Sequence, residues 1–156
     1  MKTSENVAGP RQFNADRTRP GRWTVTFSNP PINMFAPTTI VELGALMTDI
    51  EADPSVKVVV FQSANPDFFI AHLDVAKAAE RPEALGLWRD FVLRLSSARV
   101  VSISKVRGRT RGIGNEFVLA CDMRFAGWRS AYRRPARARY RCHACAREPW
   151  RCSPPA

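Results

Sequence analysis

The sequence predicts an α/β fold over residues 23–126 of the chain. Short β-rich runs alternate along the chain with two amphipathic helical patterns. The connections between them are short, which favours a layered sheet-and-helix arrangement over a helical bundle. The sequence contains no internal repeat. A single α/β portion is therefore expected, and its elements follow in chain order.

The first predicted strand covers residues 23–27, and the first predicted helix begins at Pro37. The strand ends at a Ser-Asn-Pro-Pro sequence, where two prolines cannot continue a sheet ladder. Thr38 or Thr39 can cap the first turn of the helix, which ends before Pro54. The apolar residues with helical spacing are Ile40, Leu43, Leu46 or Met47, and Ile50.

Five further elements are predicted downstream. A Val-rich run at residues 56–61 indicates a strand buried on both faces. Apolar spacing over residues 85–95 predicts a second amphipathic helix, and residues 100–106 predict another strand. A turn with glycines follows, and then a buried helix at residues 116–121 and a short strand at residues 123–125.

Charge divides the chain into two compositions. The chain has 24 Lys+Arg against 14 Asp+Glu, a net charge of +10, and residues 127–156 hold eight Arg against one acid. The same segment has no Val, Ile, Leu, Met, Phe or Lys, yet it holds three of the four Cys. We therefore expect a polar N-terminal arm at residues 1–22, a folded portion at residues 23–126 and a disordered tail at residues 127–156.

The sequence favours a cytoplasmic location without membrane contact. No apolar run reaches the roughly 18 residues that cross a bilayer, and residues 1–22 lack the apolar core of a signal peptide. Four Cys in a cytosolic chain do not indicate a disulfide framework. Cys121 stands alone in an apolar stretch, so we interpret it as a small core residue.

Two turns could carry chemistry, because each places backbone N–H groups just beyond a predicted strand. They cover residues 67–74 and residues 107–116. Glycines let the chain turn sharply and let a ligand approach closely, and N–H groups at a helix start carry partial positive charge. Two such turns that face each other would form an oxyanion hole. Glycine turns between a strand and a helix are mostly structural, so this pattern leaves both interpretations open.

Three sequence pieces occur in order on these elements. They are Asn29-Pro30-Pro31-Ile32-Asn33, then Phe69-Ile70-Ala71-His72-Leu73-Asp74, then Arg107-Gly108-Arg109-Thr110-Arg111-Gly112-Ile113-Gly114-Asn115-Glu116 with Ala120-Cys121-Asp122 behind it. Together they resemble the first half of the enoyl-CoA hydratase/isomerase (crotonase) family over residues 23–126. The resemblance implies a crotonase-like superhelix of ββα units, here incomplete at its C-terminal end.

The resemblance also implies an acyl-CoA substrate whose thioester carbonyl is held by two backbone N–H groups. Carried over residue by residue, these donors fall at Leu73 and Ile113. The neighbouring substrate-binding positions are Ala71, His72, Gly112 and Gly114. Family members often have small residues at both donor positions, so the bulk of these two side chains could narrow the acyl pocket. CoA is part of the substrate, and no separate cofactor or metal is expected.

Glu116 matches the first of two glutamates by which hydratases of this family activate the water that adds to the C2=C3 bond. A carboxylate suits this role when it lies within hydrogen-bond reach of the water. The alternative is that Glu116 caps its own helix near Asn115. Asp74 and Asp122 occupy family motif positions, and we interpret both as anchors that accept backbone hydrogen bonds. The two histidines of the chain form no arrangement that indicates a hydrolase triad.

Three interpretations of the tail compete. Cys142, His143, Cys145 and Cys152 are suitable zinc ligands, but they lack a second spaced pair. The Arg-rich composition also suits a non-catalytic basic protein that binds nucleic acid or another polyanion through residues 127–156. Finally, residues 132–144 can be written as codons whose next frame permits a Gly-Gln-Pro-Glu segment, which the resemblance leads one to expect.

A shifted reading frame that begins between residues 126 and 132 is our leading hypothesis for the tail. Family members carry the second glutamate and the helices of their trimers and hexamers beyond this point. We therefore expect the chain as written to lack part of the acyl-CoA pocket and not to form those assemblies. Exposed apolar faces and unpaired strand edges favour aggregation. We expect an unstable protein with little or no hydratase activity.

Overall fold

The computed structural model describes residues 12–79 and 81–127. The elements of this part of the chain are β1 (Phe13–Arg19), β2 (Arg22–Phe27), α1 (Pro37–Ala52), β3 (Val58–Ser63), β4 (Phe68–Ile70), α2 (Val75–Ala79), α3 (Ala84–Ser96), β5 (Val101–Val106), β6 (Arg109–Thr110), α4 (Ile113–Ala120) and β7 (Met123–Ala126). The predicted mixture of strands and helices is confirmed. None of the described helices is long and apolar enough to cross a membrane.

Five strands form one sheet in the order β1-β2-β3-β5-β7. β1 and β2 are antiparallel, whereas β2, β3, β5 and β7 run parallel to one another. Parallel neighbours need a crossover between them, and α1, α3 and α4 lie in the three crossovers. The crossovers progress in one direction across the sheet, so the right-handed rule collects the helices on one face. Accordingly, α1 packs on α3 and α3 packs on α4.

The hydrophobic core lies between one face of the sheet and these helices. Alternate residues of β2 and β3 point into it, namely Trp23, Val25, Phe27, Val59 and Phe61. Phe117 of α4 is fully buried, and its ring centroid lies 4.9 Å from that of Phe61 and 5.5 Å from that of Phe27. This packing holds α4, the helix that carries Glu116, against the sheet.

The Val-rich strand differs from its prediction in extent and in burial. It begins at Val58 and continues to Ser63, and only Val59 and Phe61 are buried, whereas Val58 and Val60 are half-buried. The prediction of burial on both faces is wrong, because the described helices cover one face of the sheet only. Val-rich composition is compatible with either environment, so the pattern could not distinguish them.

β1 is a strand that the sequence pattern does not predict. It lies within the segment interpreted as a polar arm, and it pairs with β2 from Phe13 opposite Phe27 to Arg19 opposite Arg22. An edge strand with one exposed side needs little alternation of apolar and polar residues. The polar composition of β1 therefore gives no strand pattern in the sequence. Arg17 pairs with Asp49 of α1 at 2.6 Å, and its guanidinium carbon lies 4.0 Å from the Trp23 ring centroid.

The other predicted elements are confirmed, with shifted ends. The first helix occupies Pro37–Ala52, and its N-cap residue is Ala36 rather than a threonine. Thr39 still serves the first turn, because its hydroxyl accepts the Ala36 N–H at 3.2 Å. Cys121 is 3% exposed, as expected of a core residue, and burial raises the pKa of its thiol to about 12.

Candidate active site

The short parallel pair of β4 and β6 brings the two candidate turns, residues 67–74 and residues 107–116, side by side. Phe68 pairs with Arg109, and Ile70 pairs with Thr110. The backbone N–H of Arg111 then donates to the carbonyl oxygen of Ile70 at 3.2 Å. Because the strands are parallel, the turn after β4 and the turn after β6 leave the pair at the same end. The positions of Leu73 and Ile113 therefore belong to adjacent turns.

Gly114 allows the second turn to lie directly against β4. A Cβ atom on Gly114 would stand 2.7 Å from the Ile70 carbonyl oxygen and 2.5 Å from Thr110 Oγ1. No ordinary side chain is compatible with those distances. Gly112, the N-cap residue of α4, has a φ of +49° but no atom within 4 Å of its Cβ position. Backbone conformation, and not space, is therefore what favours glycine at residue 112.

The first turn is fixed by the loop that follows β2. The Phe35 N–H donates to the His72 carbonyl oxygen at 3.0 Å, and the Asp74 N–H donates to the Phe35 carbonyl oxygen at 2.8 Å. Leu73 lies between these two bonds, opposite Phe35 in an isolated parallel bridge. Within the described residues, the Leu73 N–H has no acceptor. The turn therefore presents one unsatisfied donor.

Asn33, in the loop after β2, forms hydrogen bonds to the end of β3 and to β4. It is 2% exposed and has a φ of +53°. Its side-chain amide donates to Ser63 Oγ at 2.7 Å and to the carbonyl oxygens of Phe68 and Phe69 at 3.3 Å. The backbone carbonyl oxygen of Asn33 accepts the Ala71 N–H at 3.1 Å. The motif containing Asn33 was singled out from the sequence, but this buried network was not predicted, because its partners are distant along the chain.

Ile113 is the first residue of α4, and its N–H points out of the helix start, where no intrahelical acceptor exists. No described residue accepts this N–H. The Ile113 side chain is 7% exposed and belongs to the hydrophobic core, and Leu73 packs against that core. Much of the bulk at both donor positions is thus directed into the protein. The helix start adds the partial positive charge of its dipole.

Glu116 lies in the first turn of α4, and its residue surface is exposed. Its Oε2 atom accepts the indole N–H of Trp88 at 2.7 Å. The interpretation of Glu116 as a helix cap is wrong, because the N-cap residue is Gly112 and no side chain caps α4 by a hydrogen bond. The Trp88 contact was not predicted from the sequence. An apolar residue on the buried face of a predicted helix gives no signal that its ring nitrogen reaches a carboxylate.

The remaining site residues are distributed around these turns. Ala71 is buried, and His72 is exposed with its Nδ1 atom 2.6 Å from the Leu73 carbonyl oxygen. Asp74 precedes α2, and its carboxylate accepts the Lys77 N–H at 3.3 Å. The carboxylate of Asp122 accepts the Ser102 N–H at 2.8 Å and the Ser102 hydroxyl at 2.6 Å. Both aspartates accept backbone hydrogen bonds, as expected.

The Ser102 hydroxyl and N–H together hold the pKa of the Asp122 carboxyl below its ordinary value, because both bonds favour the charged form. The zinc candidates Cys142, His143, Cys145 and Cys152 lie outside the described residues. The part of the chain that the structure describes contains no group of three His, Cys, Asp or Glu side chains that could hold a metal ion.

A cavity of about 430 Å³ lies elsewhere, between β1 and α1. Phe13, Leu46 and the Arg17–Asp49 ion pair are among its lining residues. None of the candidate site residues lines it. Its position beside the edge strand separates it from the chemistry that the two turns could support.

Comparison with known proteins identifies one family. The model of the enoyl-CoA hydratase/isomerase family matches residues 19–138. Human mitochondrial enoyl-CoA delta isomerase 1 is 29% identical over 127 residues, which cover 74% of this chain and 42% of the relative. The rat enzyme of the same name is 28% identical over 137 residues, covering 81% and 47%. The chain spans about half the length of the curated relatives it matches.

Solved structures share the fold. A Streptomyces avermitilis protein provisionally named an enoyl-CoA hydratase is 32% identical, with a TM-score of 0.69, and the match covers 76% of this chain and 47% of that one. Pseudomonas aeruginosa DspI is 22% identical with a TM-score of 0.71, covering 82% and 54%. The fold class is that of the enoyl-CoA hydratases. The chain belongs to the enoyl-CoA hydratase/isomerase family.

Proposed function

We propose that this protein binds an acyl-CoA thioester and stabilises the enolate that forms from it. In this proposal the backbone N–H groups of Leu73 and Ile113 hold the thioester oxygen, and Glu116 is the base. One observation supports the proposal: each of two adjacent turns carries an N–H group without an acceptor among the described residues, and the second of these, that of Ile113, begins the helix that bears Glu116. Such preorganised donors stabilise negative charge without reorganising during the reaction.

The reaction that we propose is the addition of water to a 2-enoyl-CoA. Glu116 accepts a proton from water while the water oxygen forms a bond to C3. The electron pair of the C2=C3 bond moves toward the thioester, whose oxygen becomes an enolate held by the two N–H groups. Glu116 then gives up its proton, C2 receives one directly or through solvent, and the 3-hydroxyacyl-CoA is complete with the carboxylate regenerated. The exposed surface of Glu116 leaves room for the water.

The substrate positions next to the donors would meet the acyl thioester. Ala71 and His72 precede one donor, and Gly112 and Gly114 flank the other. The absence of a Cβ atom at Gly112 lets the ligand approach the backbone closely, whereas at Gly114 it lets the turn lie against β4. CoA enters as part of the substrate, so the reaction requires no separate cofactor. The cytoplasmic location stays a prediction, and the mammalian relatives carry the word mitochondrial in their names.

We further propose that turnover by the chain as written is weak. The Gly-Gln-Pro-Glu segment that carries the second glutamate in the family is not present in residues 127–156. That the chain does not assemble into the trimers and hexamers of the family stays a prediction. The alternative of polyanion binding through residues 127–156 draws no support from the described residues, because all of that segment except Gly127 lies outside them.

The proposal is tested by removing one donor without disturbing its helix. Ile113 is the first helical residue, a position where proline is tolerated and where it removes only an N–H that has no intrahelical partner. We expect Ile113→Pro to weaken polarisation of the thioester carbonyl, whereas Ile113→Ala, which keeps the N–H, should retain it. Infrared difference spectra of bound 2-enoyl-CoA with a ¹³C-labelled carbonyl measure this directly. The readout does not depend on turnover.

Where turnover is measurable, Ile113→Pro should lower it about 100-fold relative to Ile113→Ala, the usual effect of losing one oxyanion donor. Glu116→Gln should bind the same ligand but lose turnover, because an amide cannot accept the proton. Equal carbonyl spectra for the proline and alanine variants would exclude Ile113 as a donor.

A further inference from the structure

We propose that Trp88 is a positioning residue, which fixes the Glu116 carboxylate by holding its Oε2 atom and leaves Oε1 as the working oxygen. The catalytic consequence rests on the proposed function above, whereas the orientation itself does not. The contact is the 2.7 Å hydrogen bond from the indole Nε1 to Glu116 Oε2. A hydrogen bond to a charged acceptor is short and strong compared with a neutral one.

The indole cannot readily turn away from this contact. Trp88 is 5% exposed, and its ring lies 5.5 Å from that of Phe91, 6.5 Å from that of Phe117 and 6.3 Å from that of Phe35, measured between centroids. Rings surround it on α3, on α4 and on the loop after β2. The donor is therefore rigid, while the acceptor is an otherwise exposed side chain with several rotamers.

Only one oxygen of the Glu116 carboxylate accepts a hydrogen bond from the part of the chain that the structure describes. Among the described residues, Oε1 of Glu116 has no hydrogen-bond partner. A carboxylate held at one oxygen has lost most of its rotational freedom, so its second oxygen points in a defined direction. Fixing the direction of a base before the substrate arrives reduces the entropy that must be lost in the transition state.

The same packing couples the carboxylate to the first donor turn. The Phe35 ring packs on Trp88, and the Phe35 backbone makes the two hydrogen bonds that enclose Leu73. One residue thus contacts both the indole that holds Glu116 and the turn that presents the Leu73 N–H. This explains why a buried tryptophan, outside every motif identified in the sequence, affects the geometry of the site.

The orientation is tested by NMR of the full chain with ¹⁵N-labelled tryptophan. Trp88→Phe identifies the indole resonance of Trp88, and we expect that proton to resonate downfield of the Trp23 indole proton and to exchange slowly with solvent. Glu116→Ala should move the Trp88 resonance upfield and speed its exchange, while leaving that of Trp23 unchanged. Glu116 is exposed, so this variant should fold. A Trp88 resonance that does not respond to Glu116→Ala would overturn the proposal.

The consequence for catalysis is tested with a matched pair, Trp88→Phe and Trp23→Phe. Both lose a buried indole, but only Trp88 contacts Glu116. We expect Trp88→Phe to lower kcat for 2-enoyl-CoA about tenfold more than Trp23→Phe does, with KM within about twofold. A larger change in KM than in kcat, or equal kcat values, would contradict the positioning role while leaving the proposed function intact. If the unmodified chain and Ile113→Ala show neither turnover nor carbonyl polarisation, the proposed function fails, and the NMR result still decides the orientation.

Discussion

Gly114 lies so close to Ile70 that a Cβ atom on the glycine would stand 2.7 Å from the Ile70 carbonyl oxygen. This contact sets the separation of the two turns that carry the proposed donors. It joins the start of α4 to the end of β4, two elements more than 40 residues apart in the chain. The geometry of the site thus requires that residue 114 has a hydrogen atom at the position where every other residue type has a Cβ atom.

Gly114→Ala should destabilise the fold and separate the turns. Crowding of this kind costs about 1–3 kcal/mol, and the backbone must move because the nearest atom at fixed position is a carbonyl oxygen. We expect a lower urea midpoint and weaker binding of 2-enoyl-CoA. Gly44→Ala is the matched control, since that glycine lies within α1 with no atom within 4 Å of its Cβ position. The control should gain up to about 1 kcal/mol from helix propensity. Equal stability of the two variants would contradict the close approach.

Asn33→Ala should cost more stability than Asn33→Gly. Both variants lose the buried amide contacts with Ser63, Phe68 and Phe69, at about 1–3 kcal/mol. Alanine must also adopt a φ of +53°, which costs roughly 1 kcal/mol that glycine avoids. Chemical denaturation of both variants measures the difference. If alanine is the milder substitution, the left-handed conformation of residue 33 is not what the chain requires.

Asp122 should make stability depend on acid pH. The pKa of Asp122 in the folded protein lies below its ordinary value because of the hydrogen bonds from Ser102. The carboxylate therefore stabilises the fold fully at pH values above the ordinary pKa. The contribution is lost as the pH falls through the folded pKa. Asp122→Asn should therefore be less stable than the parent near neutral pH, and the gap should narrow as the pH falls below about 4. Urea midpoints measured across this range check the sign, and a gap that widens in acid would refute the assignment.

Cys121 should be inert in the folded protein. The thiol is 3% exposed and its pKa is raised to about 12, so little thiolate forms near pH 8. Alkylation followed by peptide mass spectrometry should find residue 121 unmodified in buffer and fully modified in denaturant. The denatured sample is the control for reagent access. Rapid labelling in buffer would show that α4 opens readily or that the residue is not in the core.

The reading frame of the tail is tested at the level of the gene. We expect the nucleotide sequence after codon 126 to contain, in the next frame, an open continuation that encodes the Gly-Gln-Pro-Glu segment. The restored protein should then hydrate 2-enoyl-CoA far faster than the chain as written. If the printed frame is confirmed and no such continuation exists, the Cys and Arg residues of the tail belong to the protein, and zinc and polyanion binding become the experiments to perform.

Periodicity located most of the elements but not their surroundings. The spacing of Ile40, Leu43 and Ile50 predicted α1, and all three residues are buried in it. The Val-rich composition of β3 predicted a strand but overestimated its burial. β1 escaped prediction, because an edge strand satisfies its backbone through one neighbour and needs no apolar pattern. The hydropathy pattern of a segment indicates whether it prefers a helix or a strand. Its burial depends on the elements that pack against it.

The sequence by itself determined seven of the strands and helices, though not β1, β4, α2 or β6. It also determined the burial of Cys121, the anchoring by Asp74 and Asp122, and the family to which the chain belongs. Only the tertiary structure decided that Trp88 holds Glu116 and that Asn33 joins the loop after β2 to β4. It also decided that Gly114 meets Ile70. Local patterns follow from the conformational preferences of neighbouring residues. These tertiary contacts join residues that lie 28 to 44 positions apart in the chain. They form only when the parallel strands pair, because strand pairing closes the intervening loops and brings the two residues together.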